Sequence, residues 1–111
     1  MTSKRYDVAL TRGAEKDLEA IYDYLAAERS ADDAQNLLDD LLAKIDALEQ
    51  FPLRGGVPKE LEALGIREFR QILLQPYWLI YRVAEQKVFI LVIADGRRDM
   101  QTLLERRLLG W

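Results

Sequence analysis

The residues best suited to chemistry in this 111-residue chain are arginines and aromatic side chains in its second half. A guanidinium group binds a phosphate or a carboxylate through two parallel hydrogen bonds, and an aromatic ring stacks on a base or anchors a protein interface. The sequence predicts target or phosphate contacts at Arg70, Arg82, Arg97 and Arg98, and interface aromatics at Tyr77, Trp78 and Tyr81. In the alternative interpretation the aromatics are core residues and the arginines pair with Glu68, Asp95 and Asp99.

The composition excludes most other kinds of site. The chain has no cysteine and no histidine, so disulfides, Ser/His or Cys/His catalysis and zinc sites built on those residues are impossible. The glycine patterns of phosphate-binding and dinucleotide-binding loops are missing, as is a calcium loop. Most carboxylates lie on two predicted helices at spacings typical of solvent-exposed faces. We therefore assign no metal, no cofactor and no catalytic residue.

Charge divides the chain into an acidic half and a basic half. Residues 1–53 hold 6 Lys and Arg against 12 Asp and Glu, whereas residues 54–111 hold 10 against 7. Either the exposed helix faces simply happen to be acidic, or the basic half meets an acidic partner or a phosphate backbone. The net charge of −3 argues against a general nucleic-acid binder. No apolar window is long enough for a membrane span or a signal peptide, so we expect one cytoplasmic domain over residues 1–111.

Three strands of the second half carry the arginines and aromatics. They are predicted at residues 67–74, 77–84 and 87–94, joined by short turns. The second alternates, with Tyr77, Leu79, Tyr81 and Val83 on one face. The third is apolar on both faces, which is typical of a strand in the middle of a sheet that is covered on each side.

The other predicted elements must cover this sheet. A short strand at residues 5–10 is followed by two helices, which begin after caps at Thr11 and Ser30 and form an antiparallel hairpin. The second helix ends at Phe51, because Pro52 disfavours helical geometry in the residue before it. Residues 52–66 read as an irregular connection, and Asp99 is predicted to cap a closing helix over residues 100–109. The predicted order is therefore β-α-α-β-β-β-α.

Short motifs in this order resemble the RelE/ParE superfamily of bacterial type II toxins. The matching pieces include Leu10-Thr-x-x-Ala14-Glu-x-Asp-Leu18-x-x-Ile21-x-x-Tyr24, Phe51-Pro-x-Arg54-Gly, Phe69-Arg70, Tyr77-x-x-x-Tyr81-Arg-Val and Ile93-x-x-x-Arg97-Arg98-Asp. The resemblance implies an α+β fold in which a helical hairpin packs on a small antiparallel sheet. It also implies a toxin whose partner is a cognate antitoxin encoded by the adjacent gene. We expect that antitoxin to lay an amphipathic segment into an apolar groove, or to add a strand to the sheet, at the hairpin and residues 67–70.

Two activities divide the superfamily: RelE-like members cleave mRNA on the ribosome, and ParE-like members poison DNA gyrase. By the resemblance, this chain keeps Arg70 and Arg98 as phosphate contacts. It has Trp78, Ile72 and Leu104 where the nucleases place an Arg, a Lys and a Tyr. The resemblance therefore favours a ParE-like inhibitor of DNA gyrase that is not an enzyme. The alternatives are a RelE-like nuclease that uses Arg70, Arg97 and Arg98, with the ribosome and mRNA as partners, and a toxin relic that only binds its antitoxin.

Overall fold

A four-stranded sheet with helices on both faces makes up residues 5–110, the part of the chain that the computed structural model describes. The elements in chain order are β1 Asp7–Leu10, α1 Arg12–Glu28, α2 Ala31–Asp46, α3 Lys59–Glu62, β2 Phe69–Leu74, β3 Tyr77–Ala84, β4 Lys87–Asp95 and α4 Met100–Leu104. A 3₁₀ turn, Ala47–Glu49, extends α2, and a π-helical turn, Glu105–Leu109, extends α4. The predicted α+β class and the order of its seven elements are confirmed. Among the described residues no helix is long and apolar enough to cross a membrane.

The caps expected from the sequence are present at three helices. Amides of the first turn donate to the Thr11 hydroxyl (3.3 Å), the Ser30 hydroxyl (3.0 Å) and the Asp99 carboxylate (3.1 Å). The prediction of an irregular connection over residues 52–66 was wrong at α3. There the carbonyl of Pro58 accepts from the amides of Leu61 and Glu62, and the fully buried Leu61 side chain anchors this single turn to the core.

The sheet order is β1-β4-β3-β2, with antiparallel pairing throughout β2, β3 and β4. The first strand lies at the edge and runs parallel to β4, so the complete sheet is mixed. Only β3 and β4 have neighbours on both sides, which confirms the central position expected for β4. The second strand begins at Phe69, two residues later than predicted, because Arg67 and Glu68 are exposed and Phe69 is its first buried residue.

Each face of the sheet supports its own apolar cluster. The hairpin covers one face, in a cluster that includes Ala14, Leu41, Ile45, Leu48, Leu79, Tyr81, Val88 and Ile90. The other face is covered by α3 and α4, in a cluster of Leu61, Phe69, Ile80, Val92, Ala94, Met100, Leu103 and Leu104. Because each fully buried aliphatic side chain contributes about 1.5–3 kcal/mol, the two clusters are the main source of stability.

A β-bulge in β4 changes which residues face the hairpin. Pairing with β3 shifts between Ile80, opposite Val92, and Tyr81, opposite Ile90, so that Leu91 has no cross-strand partner. Ile90 and Ile93 therefore both join the hairpin cluster, although strict alternation would place them on opposite faces. The bulge also frees backbone groups on the outer side of β4.

The edge of β4 is exposed where β1 ends, and side chains from both helical layers cover it. The amide and the hydroxyl of Thr11 donate to the Ile90 carbonyl at 3.0 and 3.1 Å. Farther along, the Ile93 amide donates to the carboxylate of Asp17 on α1 at 2.9 Å. Each of these contacts satisfies a backbone group that has no strand partner.

Arg107 covers the same edge of β4 from the opposite helical layer. Its guanidinium forms two hydrogen bonds with the Asp17 carboxylate, both 3.0 Å, and a third with the Leu91 carbonyl at 3.1 Å. A Cβ atom on Gly13 would lie 2.8 Å from Arg107 Nη2, so the absence of a side chain there leaves room for the guanidinium. Both charged side chains are mostly buried, which makes the pair stronger than an exposed one.

We predict that Arg107→Met lowers the free energy of unfolding by about 2 kcal/mol, because it leaves Asp17 and the Leu91 carbonyl without their donor. Urea denaturation monitored by circular dichroism measures the change. Arg106→Met is the matched control, since Arg106 is exposed and makes no ion pair with any described residue, and it should change stability by less than about 0.5 kcal/mol. Equal effects of the two substitutions would show that the contacts of Arg107 do not stabilise the fold.

Candidate functional site

Two of the predicted arginine contacts are engaged within the chain. Arg70 Nη1 donates to the carbonyls of Leu53 at 3.2 Å and Gly55 at 2.7 Å, so this side chain holds the connection after α2 against β2. Arg82 forms an exposed ion pair with Glu68 at 3.5 Å. The pairing of Arg82 with Glu68 is the one expected in the alternative interpretation.

The remaining two predicted arginine contacts lie in the turn after β4. Arg97 Nε donates to Asp95 Oδ1 at 3.0 Å. The hydrogen bonds that Asp95 accepts from Arg97 lower the pKa of its carboxyl to about 2. Arg98 is exposed and forms no ion pair with a described residue. Asp99 caps α4, and its hydrogen bonds to Thr102 lower its pKa. Of the four candidate cations, Arg98 is therefore the one that the described part of the chain leaves uncommitted.

Tyr81 belongs to the core. Its side chain has no solvent exposure, and its hydroxyl accepts a hydrogen bond from the Gly55 amide at 3.0 Å. Burial raises the pKa of the Tyr81 hydroxyl, an effect that is opposed by this hydrogen bond and by the nearby positive charges of Arg70 and Arg54. The predicted role of Tyr81 as an interface residue is therefore wrong, and its role as a core residue is the correct alternative.

Tyr77 and Trp78 are both half-buried, but they lie on opposite faces of the sheet. Tyr77 packs against the hairpin cluster, and Trp78 packs against the cluster under α4. A Cβ atom on Gly96 would approach the Trp78 ring to 2.7 Å, so the turn after β4 lies directly against the indole. The two neighbouring aromatics thus cannot act together in one binding site.

The sheet face under α4 is apolar where a RelE-like nuclease would carry its charged residues. Trp78 and the fully buried Leu104 are both part of the apolar cluster on this face. Ile72 points to the opposite face, into the hairpin cluster. The residues of β2 that share a face with Trp78 are Phe69, Gln71 and Leu73, and none is a cation.

A groove lies beneath the tip of the hairpin, with a cavity volume of about 960 Å³. Its apolar lining comes from both helices and from the sheet: Ile21, Leu25, Leu37, Tyr77 and Ile93. Tyr24, with 64% of its surface exposed, and the three arginines Arg29, Arg97 and Arg98 also line it. Two of the predicted contacts and Tyr77 are thus brought together here, whereas Arg70 and Arg82 are not part of the groove.

The sequence does not predict this groove, because its walls come from residues up to 81 positions apart, Asp17 and Arg98. The sequence shows one relevant feature, the long apolar stripe of α1. The structure adds that Ala14 is the only residue of that helix that is fully buried. A stripe that is only partly covered indicates a surface available to a partner.

No group of three or more Asp or Glu residues within positions 5–110 is arranged to hold a metal ion. The groove offers apolar contact, hydrogen-bond donors from its three arginines and acceptors from the carboxylates of its lining, Asp17, Glu28, Asp33 and Asp95. Such a lining is suited to binding a peptide or a protein surface.

The hairpin packed on this sheet is the fold of the RelE/ParE toxins. A structure of the chromosomal ParDE system from Pseudomonas aeruginosa matches with a TM-score of 0.70 and 26% identity, over 84% of this chain and 98% of the other. The toxin–antitoxin complex RelBE2 from Mycobacterium tuberculosis matches with a TM-score of 0.60 and 22% identity, over 85% and 94%.

The ParE toxin family of type II toxin–antitoxin systems (parDE) matches residues 8–100, and the chain belongs to this family. The predicted relation to the RelE/ParE superfamily, on the ParE side, is confirmed. Among proteins with curated descriptions, none matches the sequence.

We predict that Tyr81→Phe lowers the free energy of unfolding by about 1–2 kcal/mol, because the buried Gly55 amide loses its acceptor. The measurement is thermal or urea unfolding. Tyr22→Phe removes a hydroxyl that makes no hydrogen bond within the described chain and should be nearly neutral. If Tyr81→Phe is also neutral, the hydroxyl does not hold the connection after α2.

Proposed function

We propose that this type II toxin acts by binding and inhibiting DNA gyrase and that a cognate antitoxin, encoded by the adjacent gene, holds it inactive. Membership of the ParE family supports the choice of target. The observation that carries most weight against a nuclease is that the half-buried Trp78 packs against the apolar cluster that contains the fully buried Leu104.

The chemistry of RNA cleavage explains why that cluster matters. Attack by a 2′-hydroxyl requires a group that accepts its proton, cations that stabilise the phosphorane and an acid for the leaving oxygen. In this chain the corresponding positions hold an indole on β3, Trp78, and a buried leucine on α4, Leu104. Placing a phosphate against such a surface removes its hydration without supplying a partner, which is costly. Of the four predicted arginine contacts, Arg70 binds two carbonyls, Arg82 pairs with Glu68 and Arg97 binds Asp95, so Arg98 is the one that remains uncommitted within the described residues.

An antitoxin segment fits the groove beneath the hairpin. Apart from the buried Ile93, the apolar side chains of the lining are partly exposed, so a partner that covers them gains free energy at about 25 cal/mol per Å² of apolar surface. Addition of a strand at the β2 edge is less favourable, because the Gln71 amide in the middle of that edge already donates to the Gly56 carbonyl at 2.8 Å. Both solved relatives described above come from toxin–antitoxin systems, which agrees with such a partner.

We predict that induction of this chain without its antitoxin arrests growth, induces the SOS response and traps gyrase cleavage complexes. Supercoiling assays with purified gyrase and primer extension on ribosome-bound mRNA separate the two candidate targets. Cleavage near the ribosomal A site with normal supercoiling would overturn the proposal in favour of the nuclease. Normal growth after induction would instead favour a relic that only binds its antitoxin.

We predict that Tyr24→Ala weakens antitoxin binding by about tenfold, because it removes an exposed aromatic at the groove. Calorimetric titration of the purified toxin with the product of the adjacent gene gives the affinity. Leu64→Ala is the control, since Leu64 is 42% exposed and lies outside the groove lining. An unchanged affinity for Tyr24→Ala would place the antitoxin elsewhere.

A further inference from the structure

A tight turn after α2 exposes two large apolar side chains. Residues 51–54 form the turn, in which the Arg54 amide donates to the Phe51 carbonyl at 3.3 Å. Pro52 occupies its second position, where its fixed φ is favoured, and is itself buried. Phe51 and Leu53 on either side of it are 60% and 61% exposed. No other two large apolar residues so close together in the chain are as exposed within the described region.

Hydrogen bonds from three elements hold this turn in place. The Phe51 amide donates to the Ala47 carbonyl at 3.1 Å at the end of α2. Arg70 of β2 binds the Leu53 and Gly55 carbonyls, and the buried Tyr81 hydroxyl of β3 binds the Gly55 amide. The side chains of Phe51 and Leu53 are thus exposed from a backbone that is already ordered, and binding through them costs little backbone entropy.

The close approach of the turn to β2 depends on a glycine. A Cβ atom on Gly55 would lie 2.6 Å from the Gln71 carbonyl oxygen and 2.7 Å from the Tyr81 hydroxyl. A larger residue would push the turn away from the sheet and break both contacts. Phe51 and Leu53 therefore project from an ordered turn that is held against the sheet.

The charge next to the turn indicates the partner's chemistry. Arg54 is exposed and forms no ion pair with a described residue, and the same is true of Lys59 a few residues on. None of residues 51–54 lines the groove beneath the hairpin. The turn is therefore a second surface, apolar at its centre and positive at its side, distinct from the proposed antitoxin groove. Its complement is an apolar pocket with carboxylates at the rim.

We propose that the 51–54 turn is the element through which the toxin binds its target protein, with Phe51 and Leu53 inserted into an acidic-rimmed apolar pocket and Arg54 paired with a carboxylate at that rim. This inference rests on the proposed function in one respect, that the target is a protein. It adds the surface and the chemistry of the contact. It also separates the surface that acts on the target from the groove that receives the antitoxin.

The test uses two turn variants, the double substitution Phe51→Ala/Leu53→Ala and the single substitution Arg54→Glu. The control variants are Leu64→Ala and Arg106→Glu, which change exposed residues elsewhere. Three quantities are measured for each: growth inhibition on induction, inhibition of supercoiling by purified gyrase, and affinity for the antitoxin. Both turn variants should lose at least about tenfold in growth and supercoiling inhibition. Their antitoxin affinity should stay within about twofold, and their melting temperature within about 2 °C of the wild type.

The other possible outcomes distinguish a failure of the proposal for the 51–54 turn from a failure of the proposed function. Turn variants as toxic as the wild type would overturn the inference, as would a loss of antitoxin binding in step with toxicity. If the wild type arrests growth without affecting gyrase, and the turn variants do not arrest growth, gyrase is the wrong target but the turn is confirmed. If gyrase is inhibited equally by all variants, the proposed function stands and the turn is excluded. A wild type without any toxicity overturns both.

Discussion

The exposed edge of β4 is the constraint on which the rest of this fold depends. The first strand covers only part of that edge, and the bulge at Leu91 leaves further backbone groups without a strand partner. Asp17 and Arg107 satisfy them from opposite sides of the sheet and bind each other at the same time. An unpaired buried amide or carbonyl costs about 1–3 kcal/mol, so the position of both helical layers is tied to this edge.

That attachment also explains the partly covered surface of α1. The helix is held near its first turns by Thr11 and Asp17, while its later turns extend to the tip of the hairpin. Within residues 5–110 no further element covers the apolar side chains of those turns completely, and the groove beneath the tip results. A single small domain thus keeps a stable core and still presents apolar surface to a partner.

The arginines of the sheet have mainly structural roles. Arg70 holds a turn, Arg82 pairs with Glu68, and Arg97 with Asp95. A guanidinium with several donors in one plane is well suited to binding carbonyl oxygens in this way. The sheet face under α4 is covered mainly by apolar side chains.

The sequence by itself determined every helix and strand except α3, because apolar periodicity, helix caps and the proline after α2 act over a few residues. It also excluded histidine and cysteine chemistry and carried the motifs of the family. Only the tertiary structure decided that Tyr81 is core, that Ile72 and Trp78 face opposite ways, and that the turn at Phe51 is ordered. Those outcomes depend on strand register and on the bulge at Leu91, which are set by contacts between residues up to 90 positions apart. Local patterns do not encode such contacts, and so the surfaces formed by distant segments could not be predicted.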